Sequence, residues 1–104
     1  MKYVIASRSR KPAWWLLDDD RVIAWAGRTF VSLAQADLAA HDFRVNADDP
    51  DYRMQVRSGG RWRWTAWDLE GVRVAVSGDW FPDESAARDA ARRVQQQAGT
   101  ALGP

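Results

Sequence analysis

"GRWRWTAWDLEGVRVAVSGDWF", residues 60–81, decides how this chain folds. Trp62, Trp64 and Ala66 alternate with Arg61, Arg63, Thr65 and Trp67, the period of two that a strand with one apolar face requires. Asp68–Gly71 then supplies a turn, after which Val72, Val74 and Val76 alternate with Arg73, Ala75 and Ser77. Just upstream, Tyr52, Met54 and Val56 alternate with Arg53, Gln55 and Arg57. The intervening Ser58-Gly59-Gly60 is a turn signal, because glycine accepts positive φ without a side-chain clash. Together these segments predict a three-stranded antiparallel meander. Beyond Phe81 the period changes. Asp83 is a suitable N-cap, Ala87, Ala90, Ala91 and Val94 recur at helical spacing, and Gly99 is a suitable stop.

The same order of segments occurs earlier in the chain. Displaced by 51 positions, Gly27 falls on Gly78, Phe30 on Phe81, and Ala36, Ala39 and Ala40 on Ala87, Ala90 and Ala91. "KYVIAS", "PAWWLL" and "RVIAWA" supply three strands, and Ser32 with Gln35 forms a capping box ahead of a second small-residue helix face. The expected fold is α+β: tandem βββα repeats forming one antiparallel sheet, with two helices packed on one face. Residues 1–104 are expected to be a single domain. Its repeats span about 1–46 and 52–98, an acidic linker covers 47–51, and 99–104 form a flexible tail. Neither three-stranded piece buries enough apolar surface to stand alone, so both should join one core.

These residues also resemble the repeat of the YegP-like proteins, a family of unknown function. Trp62, Trp64, Gly71, Val74, Ser77, Trp80 and Ala86 fit its run of alternating aromatics, glycine turn, apolar strand ending in serine, aromatic and alanine-rich helix. The first copy departs from that run, with Asp18-Asp19-Asp20 in place of the glycine turn, Ala26 in place of serine and Thr29 in place of the aromatic. The resemblance covers about residues 2–94. It implies tandem β3α repeats sharing a sheet, and no established activity, catalytic residue or cofactor.

Composition narrows the chemistry. Net charge is +1, so no overall field favours nucleic acid or anionic lipid. The absence of cysteine removes disulfides, thiol catalysis and cysteine-bound zinc. The apolar run near the N-terminus, Tyr3 to Ala6, is too short for a signal peptide, and no segment reaches membrane-span length. A soluble, cytoplasmic protein is expected. His41 has no nucleophile beside it, the Asp18–Asp20 run is a solvated turn rather than a metal site, and no phosphate loop, nucleophile elbow or HExxH motif occurs. No catalytic, cofactor-binding or metal-binding residue is assigned, and the chain is not expected to be an enzyme.

What remains is surface. Alternation points Trp15, Leu17, Ile23 and Trp25 toward the helices with Tyr3 and Ile5. The reverse face would then carry an apolar half, with Val4, Trp14, Leu16 and Val22 as the candidate protein-contact residues. Its arginine half would hold Arg53, Arg57, Arg61, Arg63, Trp67 and Arg73, a candidate surface for single-stranded nucleic acid. A homodimer or another protein partner ranks first, and nucleic acid second, because the net charge is near neutral and an RNP-type motif is absent.

Overall fold

The computed structural model describes residues 1–103. Its element order is β1 (Lys2–Arg8), β2 (Lys11–Asp18), β3 (Arg21–Trp25), α1 (Leu33–Asn46), β4 (Asp51–Val56), β5 (Trp62–Trp67), β6 (Arg73–Ser77) and α2 (Glu84–Gln97). The six strands form one antiparallel sheet in the order β1-β2-β3-β6-β5-β4. Each set of three strands is thus a meander, and the two meet at a short seam where Ala24 pairs with Ser77 and Trp25 with Val76. One core under both helices unites them. It contains Trp14, Leu16 and Phe43 from the first half and Trp64, Ala91 and Val94 from the second.

Both helices begin as their caps dictate. The Ser32 hydroxyl accepts from the Gln35 amide at 3.1 Å, and the Asp83 carboxylate accepts from the Ala86 amide at 2.8 Å. These bonds satisfy amides that the first helical turn leaves without partners. Small residues let the helices approach the sheet closely: Ala36 and Ala40 of α1 and Ala87 of α2 are fully buried. Glycine serves the seam in the same way. A Cβ on Gly78 would lie 2.0 Å from the Val22 carbonyl oxygen.

The facing of β2 corrects the expectation from alternation. Trp14 and Leu16, expected on the reverse face, are 1% and 0% exposed, and Trp14 stacks on Phe43 of α1 with ring centroids 5.1 Å apart. The cause is the hairpin register. Ser9 and Arg10 form a two-residue turn with φ of 53° and 63°, so Arg8 pairs with Lys11 and Tyr3 with Leu16. With Tyr3 facing the helices, Leu16 and Trp14 must do the same, and Trp15 goes to the other side with Val4.

A register shift between Leu16 and Leu17 then lets Ala24 oppose Leu16 while Ile23 remains beside α2, in a groove shared with Phe81 and Val94. An equivalent shift between Ala66 and Trp67 places Ala75 opposite Ala66 in the core and Val76 opposite Thr65 on the reverse face. Trp25 and Val76, expected under the helices, therefore face away from them.

The end of the chain also departs from expectation. Ala98–Thr100 form a 3-10 turn, Leu102 accepts from the Tyr3 amide and donates to the Met1 carbonyl, each at 3.0 Å, and Ala101 is buried. The segment expected to fray is tied to the β1 edge as far as Leu102; Pro104 lies outside the described residues.

Candidate functional site

The sheet face turned away from the helices gathers aromatic and guanidinium groups. Trp15 and Trp25 stack with their planes 10° apart and centroids at 6.4 Å, and the Arg8 guanidinium sits 4.5 Å from the Trp15 ring. Toward β4, Arg53 lies over Trp67 at 4.9 Å. Trp80, from the corner between β6 and α2, holds Arg57 at 4.4 Å and Arg63 at 4.9 Å. Such cation–π contacts each contribute about 0.5–1 kcal/mol where exposed.

Hydrogen bonds fix the array further. The Trp67 indole donates to the Thr65 hydroxyl at 2.9 Å, Arg63 donates to the Gln55 side chain at 2.9 Å, and Arg61 donates to the Trp80 carbonyl at 2.8 Å. Arg73 donates to the Gly27 carbonyl at 3.0 Å, bridging the two halves across the seam. Arg63 is held below the ordinary guanidinium pKa, first by partial burial and then by repulsion from Arg73. Two like charges kept this near each other leave a field that an anion would relieve.

Charge is segregated on this body in a way that net charge conceals. Among the described residues, the one strand carboxylate on the reverse face is Asp51, which Arg53 engages at 2.8 Å. Asp18 instead pairs with Arg93 of α2, on the helix side.

The residues expected at the arginine half, Arg53, Arg57, Arg61, Arg63, Trp67 and Arg73, therefore lie in and around one surface. Of the expected contact residues, Val4 and Val22 lie on it half-buried, whereas Trp14 and Leu16 are in the core. Trp15, Leu17 and Trp25 take their place, joined by Arg8 and Trp80, which alternation did not select. The signal that finds Trp15 and Leu17 is the two-residue turn at Ser9-Arg10, since the register it imposes sets the facing of all of β2.

No protein-family model matches the sequence, and no curated protein does so either. Among solved structures, the solution structure of YegP from E. coli, a protein of unknown function, superposes with a TM-score of 0.79 at 11% identity, covering 97% of this chain and 88% of that one. The chain has the YegP-like fold. The UPF0339 protein SO3888 from Shewanella oneidensis shares it, with a TM-score of 0.76 at 13% identity over 95% of this chain and 85% of that one. At such identities the likeness is one of fold alone. Among the described residues, no helix is long and apolar enough to cross a membrane, and no group of three or more candidate ligands could hold a metal ion.

Proposed function

We propose that the chain is a small cytoplasmic interaction module, built from two tandem βββα repeats, that works by binding rather than catalysis. Its principal site is the open sheet face, and the ligand class that face fits best is single-stranded nucleic acid. The observation that carries this reading is the segregation of six arginines with four tryptophans on one face that holds a single strand carboxylate. Guanidinium planes and indole rings both stack on bases, and guanidinium forks grip phosphate, with each aromatic stack worth about 1–3 kcal/mol.

Titration of a fluorescently labelled single-stranded oligonucleotide tests the proposal. Binding should weaken as salt is added, and Arg63→Glu and Trp67→Ser should each reduce it. Absence of binding, or binding indifferent to both salt and these substitutions, overturns it.

Self-association or another protein contact is the second reading, and a different surface favours it. Leu38 and Val45 on α1 are 62% and 66% exposed, whereas the residues 51 positions later on α2 are Asp89 and Gln96. Two exposed apolar residues on one helix, whose counterparts on the other are polar, fit a contact between protein surfaces. Light scattering at high concentration should then show a dimer that Leu38→Lys converts to monomer. A monomer throughout removes self-association.

A further inference from the structure

Two grooves of the molecule occupy corresponding places, and their differences point to a second binding site. Each lies between a helix and the bulged hairpin of the other half. One, of about 360 Å³, is walled by Phe81, Ala90, Val94 and Ile23; the other, of about 520 Å³, is walled by Phe30, Ala39, Phe43 and Val74. These residues match pairwise at a spacing of 51 positions.

The polar groups do not match. In the smaller groove Arg93 of α2 reaches across to Asp18, and Arg21 bonds Asp79 at 2.6 Å, so the chain's own guanidiniums already engage these two carboxylates. In the larger groove the position of Arg93 is held by Asp42. Asp68 follows the register shift after Ala66 just as Asp18 follows the one after Leu16. A guanidinium–carboxylate bridge in one groove is thus replaced by two carboxylates in the other. The position of Arg21 is taken by Val72, so the second bridge is missing as well.

We infer that the larger groove binds an arginine side chain of a peptide partner, its guanidinium bridging Asp42 and Asp68 where Arg93 meets Asp18 in the smaller groove. Charge favours that occupant. Asp42, Asp49, Asp68 and Glu70 line the groove with one basic residue, Arg28, and among the described residues none of the four has a cation within salt-bridge distance. The carboxylates do not converge as a set that could hold a metal ion. A planar, delocalised cation suits such a spread arrangement better than a compact one. Asp68 is preorganised, since one of its oxygens accepts from the Glu70 and Val72 amides at 3.0 and 2.9 Å and leaves the other for a ligand. The aromatic wall is compatible too. Arg28 already lays its guanidinium 4.6 Å from the Phe30 ring centroid. Leu69, 95% exposed at the rim, offers apolar contact to the neighbouring peptide residues.

The test is an amide-resolved NMR titration of the full chain with a blocked Ala-Arg-Ala tripeptide, alongside the same peptide carrying citrulline, the uncharged isostere of arginine. The arginine peptide should shift the amides of Phe43, Leu69 and Val74 while leaving Trp15 and Arg63 on the sheet face unmoved, and the citrulline peptide should produce no such shifts. Asp42→Asn should weaken binding about tenfold or more, the scale of one charge-assisted bond. Asp42→Arg should abolish it by rebuilding the bridge found in the smaller groove. Equal binding of the citrulline peptide, shifts confined to the sheet face, an undiminished response in Asp42→Asn or no response at all would each overturn the assignment. Free arginine binding as tightly as the tripeptide would overturn the peptide as its source. Oligonucleotide binding by Asp42→Asn should be unchanged, so failure here and failure of the sheet-face reading are separable.

Discussion

The phenol of Tyr3 donates a hydrogen bond to the carbonyl oxygen of Ala98 at 3.1 Å, joining the first strand to the end of the last helix. Tyr52 makes the corresponding bond to Ala47, beyond α1, at 2.7 Å. Each ring also packs against the buried tryptophan of its own half, Tyr3 on Trp14 and Tyr52 on Trp64. Burial raises both phenols above their ordinary pKa. Arg44 opposes the shift for Tyr3, and the neighbouring Tyr3 and Asp48 add to it for Tyr52. Unfolded phenols titrate near about 10, so the stability these groups confer is complete below that pH and is lost as pH rises beyond it, because the unfolded chain releases its protons first. Urea unfolding from neutral to strongly alkaline pH should show that decline. Tyr3→Phe and Tyr52→Phe should flatten it while each costing about 1 kcal/mol at neutral pH.

Gly78→Ala should be among the most destabilising single substitutions in the chain. Its Cβ would collide with backbone, the Val22 carbonyl oxygen at 2.0 Å, which no rotamer change can relieve. The amide of Gly78 also bonds the Ile23 carbonyl at 3.1 Å, so the strain falls on the pairing of β3 with β6. Thermal melts should show a large loss in Tm, whereas Gly59→Ala, with nothing within 4 Å but a φ of 96°, should cost only about 1 kcal/mol.

Adjacent tryptophans should behave in opposite ways. Trp14→Ala empties a site between Tyr3 and Phe43 and should cost about 3–5 kcal/mol in denaturant unfolding. Trp15→Ala removes a half-buried ring from the open face, so it should cost less stability and weaken oligonucleotide binding instead.

The slope of oligonucleotide affinity against salt should report the arginines individually. If Arg63 neutralises one phosphate, Arg63→Gln should lower that slope by about 0.7 for a single strand. Arg88→Gln, on α2 and paired with Glu84, should leave it unchanged. Anisotropy titrations at several salt concentrations would measure both.

Much of this architecture is legible in the residues alone, for reasons that differ along the chain. In β5 and the residue before it, Arg61 and Arg63 fall on one parity and Trp62, Trp64 and Ala66 on the other, so alternation identifies the buried face. In β2 five consecutive apolar residues, Ala13 to Leu17, occupy both parities, and local pattern carries no facing information. Only the turn at Ser9-Arg10 does. Its two residues adopt a left-handed conformation without being glycine, which is why the turn is easily passed over. The shifts after Leu16 and Ala66 are likewise silent, because a bulge is set by how two strands pair and not by either strand's composition. The arginine half of the open face is readable because charge follows parity there. The groove at Asp42 and Asp68 is not, since those residues are brought together by the helix lying across the hairpin.

The bond from Tyr3 to Ala98 and the bond from Tyr52 to Ala47 make the gap between α2 and β1 a counterpart of the connection between α1 and β4, closed by contacts rather than by covalent chain. The two halves are in this respect joined twice, once by chain and once by contacts. Ligating the chain's termini through a short spacer and reopening the chain near Asp49 should yield a circular permutant with the same sheet, whose strand order then begins at β4.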